Sequence, residues 1–409
     1  QQRGAESLLN NRIHTFHSSL TLWLQNNYQP QLSSLSGDKM GAIDSLLRKA
    51  DEDGVRVFGV TPTTLPGRGI GMVATRDLEK GDVIVTIPAQ AIRSLHTVPE
   101  DVSRRLSRDM SIHGLLAAEL ALRRDDAADW ASIVPQWTDF EATVPMLTPE
   151  HTPAEAKRLL AKQCSRFETD WKMFSDGFPD ELRRDYLYAW LLVNTRTFYF
   201  ETPAMVAFPW HDRLALLPIA DLFNHADTGC SVSFSTEGYD ITADRSYCAG
   251  DELLTSYGEH SNDFLLAEYG FVLRDNQHDK LCLDEVILPR LSRGQESELK
   301  EHGYLGDFML HNGSKRSDNI WVALRLLSCV NADWQSFIDG EEDEEGTLEK
   351  ATGQLPDLLE EYLCKIEEKL GLVRVSQVGK ACQRDLLVHR WEQIQAFIRR
   401  WLEDQSSGE

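Results

Sequence analysis

Apolar positions recur in two rhythms along this chain. From Ser111 to Arg124, Ile112, Leu115, Leu116 and Leu120 stand at three- and four-residue spacings (112/115, 112/116, 116/120), with Leu122 beyond them, the stripe of a helix with one buried face. The same rhythm predicts helices over Phe16–Leu24, Glu155–Trp171, Leu182–Leu192, Ile320–Val330, Leu355–Leu370 and Ala381–Leu402. A two-residue rhythm marks shorter pieces at Val55–Val60, Gly71–Thr75 and Val83–Ile87, punctuated by Pro62, Pro66, Gly81 and Pro88, which reads as a region of small hairpins. Cys230–Phe234 and Tyr239–Ala243 alternate as a further hairpin. Val193–Phe200 is β-branched and aromatic and predicts extended chain, and Leu281–Leu288 predicts one strand. Trp130, Ile133, Pro135 and Trp137 read as a loop of large core groups, and Trp210–Asp212 as a turn. Ser33–Gly37 and the acidic run Glu341–Glu345 read as loops, the latter solvated. The order is strands, a helical block, more strands, then helices, an α+β arrangement.

Composition narrows the class. With 409 residues the chain has room for two or three domains. It carries 42 Lys and Arg against 65 Asp and Glu, so 42 − 65 = −23. Such a surface repels nucleic acid and attracts a basic protein. No segment reaches the ~18 apolar residues of a membrane span, and the polar start Gln1–Glu6 lacks the apolar core of a signal peptide. The seven cysteines at 164, 230, 248, 282, 329, 364 and 382 form no Cys-x-x-Cys pair. Zinc and disulfide scaffolding are therefore not expected, and a reduced compartment, cytoplasm or nucleus, is.

The chemistry concentrates in three places. One is the glycine turn Gly67-Arg68-Gly69-Ile70-Gly71. It runs into a strand and then Lys80-Gly81-Asp82, with no helix to receive a pyrophosphate, so a dinucleotide fingerprint is a poor reading. The second is Leu216–His225, apolar until it ends in Asp221, Asn224 and His225, groups that also serve as simple backbone caps. The third is Gly250–Gly258, with Tyr257 near its end, followed by Ser261-Asn262, a helix cap by type, and Glu268–Phe271. Taken in order, these stretches resemble the SET-domain methyltransferases, in the branch typified by plant Rubisco large-subunit lysine methyltransferase. The likeness is strongest over Val55–Arg274 and looser outside it. At the position of Arg68 the plant enzyme has an acidic residue.

The resemblance implies a β-rich SET core with a helical insert, followed by a mainly helical C-terminal domain of the substrate-binding type. The implied divisions are a helical lead-in at 1–50, SET segments at 51–110 and 191–274, the insert at 111–190, and the C-terminal domain at 275–409. It implies S-adenosylmethionine (SAM) as cofactor, held by Arg68, Gly69, Ile70, Thr195, Asp221, Asn224, His225 and Tyr257, with no metal. It implies Tyr257 as the catalytic tyrosine. Thr195, Arg196, Phe198, Ala220, Asp221, Phe223 and Tyr269 would line the acceptor channel. The expected activity is protein-lysine N-methylation of a basic protein by a monomer that touches neither nucleic acid nor membrane. Two alternatives stand beside it. Actin-histidine-modifying relatives have asparagine where this chain has Phe198 and tryptophan where it has Ala220, so both positions favour lysine. A catalytically silent SET module that binds a basic protein is the other. Outside the resemblance, Arg196 also reads as an ion-pair partner, Asp221 as a buried cap and Tyr257 as a sheet-edge tyrosine.

Overall fold

The computed structural model describes residues 39–123, 128–145, 151–311, 318–328, 334, 336–338 and 344–406. The helix expected over Phe16–Leu24, the loop Ser33–Gly37 and residues 341–343 of the acidic run lie outside them. The described residues fall into two compact units, one within 1–147 and 161–259, the other within 148–160 and 260–409.

The first unit is built on a seven-stranded sheet in the order β1-β4-β8-β7-β9-β3-β2. The strands are β1 (Arg56–Val57), β2 (Val60–Leu65), β3 (Gly69–Ala74), β4 (Val83–Pro88), β7 (Asn224–Ser235), β8 (Gly238–Thr242) and β9 (Glu252–Thr255). A separate pair joins β5 (Thr197–Tyr199) to β6 (Leu214–Leu216). The hairpin of β7 and β8 forms as its alternation predicts, with Phe234 opposite Tyr239. The glycine turn connects β2 to β3, Leu65 facing Gly69. Its conformation requires glycine, since Gly67 and Gly69 have φ of +72° and +75°.

Helices Ile112–Leu122 and Arg183–Arg196 pack together, His113 stacked on Trp190 at 4.2 Å. Ser111 caps the first helix by accepting from the Gly114 amide at 2.8 Å. Buried Asp212 accepts from the amides of Ile112 and His113 at 2.8 and 3.0 Å, so the Trp210–Asp212 turn ties β6 to the helix start. Two expectations need correction. The strand read over Val193–Phe200 is helix up to Arg196, and only Thr197–Tyr199 is extended. The hydroxyls of Thr195 and Thr197 donate to the carbonyls of Leu191 and Val193, which lets β-branched residues sit in a last helical turn. The Trp130–Trp137 loop is instead two short helices, Ala128–Ile133 and Trp137–Thr143.

The second unit is mainly helical. Leu355, Leu359, Tyr362, Ile366 and Val373 line the buried face of helix Glu344–Val375, which begins inside the acidic run. Helix Ala381–Ser406 buries Trp391, Ile394 and Ile398. Leu281–Leu288 is not one strand. Leu281–Cys282 (β10) pairs with Met309–Leu310 (β11), and a helix begins at Asp284. The Asp284 carboxylate accepts from the Phe308 amide at 2.9 Å, and Asp284 and Glu285 suit a helix N-terminus. The unit starts at His260, ahead of the division read at Arg274. Helix Asn262–Tyr269 explains that difference: Asn262 bonds the backbone of Leu273, and Arg390 binds Asp263 and Asp279.

Glu155 in this unit makes stability depend on pH. Burial and the neighbouring Asp263 push its carboxyl up to about 7, against Lys280, Arg158 and Arg390. Its folded value exceeds its unfolded one, so its contribution is fully present below about 4.5 and is lost as pH rises through 7. Glu155→Gln is therefore expected to melt a few degrees above the parent at pH 8 and no higher than it at pH 5. Equal shifts in calorimetric scans at both pH values would remove Glu155 as the cause.

Candidate active site

The three chemical stretches meet because β7 pairs in parallel with β9, and β9 lies beside β3. Asn224 and His225 open β7 opposite Leu254 and Thr255. Tyr257 follows two residues after β9, and the glycine turn precedes β3. Three adjacent inner strands thus bring the motifs together where β9 ends and β3 and β7 begin.

A chain of polar contacts crosses these strands. Arg68 Nη1 donates to Glu252 Oε2 at 2.6 Å, and Asn224 Nδ2 donates to Glu252 Oε1 at 2.8 Å. A Cβ on Gly71 would lie 2.8 Å from both Asn224 Nδ2 and Glu252 Oε1, and 2.5 Å from Leu65 Cδ1, so glycine makes room for the contact. His225 is buried and accepts the Tyr257 amide at Nδ1 at 3.0 Å, which puts the hydrogen of a neutral ring on Nε2. The two rings stack at 4.9 Å. The Tyr257 hydroxyl donates to the Phe223 carbonyl at 2.7 Å. Burial pushes this hydroxyl up to about 12, with Asp221 raising it further and Arg196 and Arg68 opposing, so it is a neutral phenol at pH 7.

A second cluster sits on the stretch before Asn224. Ile219 has φ +72° and ψ −40°, a strained backbone for a β-branched residue, and leads into the turn Ala220–Leu222. Buried Asp221 accepts at Oδ2 from Trp130 Nε1 at 2.8 Å and from Arg196 Nη1 at 3.2 Å. The same arginine nitrogen donates to the Asp221 carbonyl at 2.6 Å. Burial raises the Asp221 carboxyl, and Arg196 and Trp130 hold it back.

A SET domain model matches residues 69–258. Those residues carry a SET domain. The chain is 25% identical over 325 residues to fission yeast (Schizosaccharomyces pombe) Ribosomal lysine N-methyltransferase set11, covering 75% of this chain and 83% of that protein. It is 23% identical over 283 residues to mouse (Mus musculus) Actin-histidine N-methyltransferase, covering 61% and 45%. The SET domain of LSMT, the Rubisco enzyme, solved with lysine and AdoHcy, superposes with a TM-score of 0.58 over 90% of this chain and 92% of that one. At 16% identity that likeness shows the fold, a sheet-based SET core with helices after it.

Most residues named from the resemblance lie in the first unit. Phe198 is half-buried on β5 opposite Ala215, while Ala220 and Phe223 are fully buried. Thr195 ends the insert helix, its hydroxyl bonded within that helix. Tyr269 is the exception. It belongs to the second unit, where it ends helix Asn262–Tyr269 and packs against Phe264 and Phe271. Arg196 is an ion-pair partner, as its plainer reading had it, while Asp221, read as a buried cap, accepts from the side chains of Trp130 and Arg196. The Arg68 N–H is engaged by the Leu65 carbonyl at 3.1 Å and its guanidinium by Glu252. Sequence reading missed two residues. Glu252 reads as an ordinary strand residue, although a carboxylate inside an apolar strand is itself a signal. Trp130 reads as core, although an indole N–H asks for a buried acceptor.

Proposed function

We propose that this protein is a SAM-dependent protein-lysine N-methyltransferase. The carrying observation is the meeting of the glycine turn, Asn224-His225 and Tyr257 at one end of three adjacent inner strands. That strand end suits the cofactor. Strand β3 pairs with β9 only through Met72 and Val73, so among the described residues the Gly69–Gly71 backbone has no ladder partner on that side. Ile70, Asn224 and His225 would hold the cofactor there, with Gly69 giving close backbone approach. The Arg68 side chain acts indirectly, by fixing Glu252 and hence Asn224.

SAM, when bound, supplies an electrophilic methyl group on a sulfonium. The chain must then present a neutral amine. In water a lysine has a pKa near ~10.4, so neutrality at pH 7 costs about 4–5 kcal/mol. An apolar channel walled by Phe198, Ala220 and Phe223 lowers that cost by desolvation. Tyr257 does not take the proton, because a phenol at about 12 is no base at pH 7. Its hydroxyl donates to the Phe223 carbonyl, which orients the phenol oxygen to polarise the methyl group and align the attack. Carbonyls at the Thr195 and Asp221 positions orient the amine, and water removes its proton. A basic protein suits a chain of net charge −23. The ribosomal lysine methyltransferase among the relatives supports a lysine acceptor, and the actin-histidine enzyme keeps the alternative in view.

Titration calorimetry with SAM, in the presence of a chelator, is expected to give about one site per chain. No binding by folded protein, or binding abolished by the chelator, would sink this reading.

A further inference from the structure

Beside the Asp221 cluster lies a cavity of about 360 Å³. Leu46 and Ala50 of helix Lys39–Glu52 form one wall, and Ile92 and Leu217 another, all four buried. Ser45 donates to Asp129 Oδ2 at 2.7 Å and so fixes that helix against helix Ala128–Ile133, which contributes Trp130 to the lining. Asn224, His225 and Tyr257 are not among the described residues that line it.

The rest of the lining is mixed, with Lys49, Gln90, Arg93 and Asp129 among its polar groups, and one buried polar group in it is incomplete. Asp221 lines the cavity, and its side chain is 2% exposed. Its Oδ2 is taken by Trp130 and Arg196, while its Oδ1 is buried with no partner among the described residues. Buried carboxylate oxygens ordinarily have donors, and of the unsatisfied buried atoms among the described residues Asp221 Oδ1 is the one whose residue lines this cavity. Arg196 already balances the charge, so the missing partner is a hydrogen-bond donor more than a cation. The volume sets the size. An apolar cavity of about 150 Å³ accepts benzene, so this one has room for a substituted ring.

We propose that this cavity is a binding site for a small neutral ring compound with one O–H or N–H donor, its apolar body against Leu46, Ala50, Ile92 and Leu217 and its donor on Asp221 Oδ1. The proposal does not depend on methyl transfer, and it places a ligand three residues from Asn224.

The test is calorimetric titration of the full chain with phenol and with toluene, a ring of similar size without a donor. Phenol is expected to bind one saturable site at least about tenfold more tightly than toluene. Ala50→Phe fills the cavity from the helix side and is expected to remove binding of both rings while SAM binding persists. Ala91→Phe does the same from another wall, should the first variant fold poorly. Magnetisation transfer from the phenol ring to the Trp130 indole locates the ligand in the unaltered chain. Absence of saturable phenol binding, equal affinity for phenol and toluene, or phenol binding unchanged in folded Ala50→Phe and Ala91→Phe would each overturn the assignment.

Discussion

Tyr257→Phe is expected to lower kcat by about 10–1000-fold, on the order of 1.4–4 kcal/mol of barrier, while SAM affinity changes little. The hydroxyl is a neutral donor whose hydrogen is committed to the Phe223 carbonyl. That bond fixes where its lone pairs point, so what the substitution removes is a dipole oriented before the reaction begins. The contacts assigned to cofactor binding do not use this oxygen. Arg68, Glu252 and Asn224 form their own chain, and His225 bonds the Tyr257 amide, which phenylalanine retains. The substitution also strips the Phe223 carbonyl of its donor, a cost of about 1–3 kcal/mol in stability. Single-turnover rates should therefore be measured well below the variant's melting temperature. Wild-type turnover under those conditions removes Tyr257 from the chemical step.

Local rhythm made much of the fold legible. The β7–β8 hairpin alternates cleanly, and the insert helices carry their stripes and a serine cap. The failures fall where a non-local bond or a side-chain bond overrides propensity. Val193–Arg196 looks extended, yet threonine hydroxyls return to carbonyls one turn back and keep it helical. Leu281–Leu288 looks like a strand, yet Asp284 turns toward Phe308 and starts a helix. At the candidate site the motifs themselves were visible, because each is a short run with unusual chemistry. Their connections were not. Glu252 meets Arg68 across 184 positions, and Trp130 meets Asp221 across 91. No periodicity encodes such pairs. Nor does any glycine announce the positive φ at Ile219, where Pro218 and the buried turn that follows hold a β-branched residue in a strained conformation.

Acceptor choice is the other large effect expected. With matched basic peptides carrying a central Lys or a central His, kcat/KM is expected to favour lysine. A lysine has a slim apolar stem that aromatic walls can grip and an amine that carbonyls can meet. An imidazole is broader and needs its second nitrogen satisfied to fix the tautomer. Phe198 and Ala220 offer it no polar atom, and the Thr195 hydroxyl is spent on its own helix. A buried ring nitrogen without a partner costs roughly 1–3 kcal/mol, about 5- to 150-fold in selectivity. Phe198→Asn supplies the missing amide on β5 and is expected to raise histidine activity relative to lysine. Since Phe198 is only half-buried, the fold should tolerate the change, and the ratio of the two activities cancels any common loss. A clear preference of the parent protein for the histidine peptide overturns the lysine assignment. An unchanged ratio in Phe198→Asn means that the selector lies elsewhere on the channel wall, with Ala220→Trp the next substitution to try.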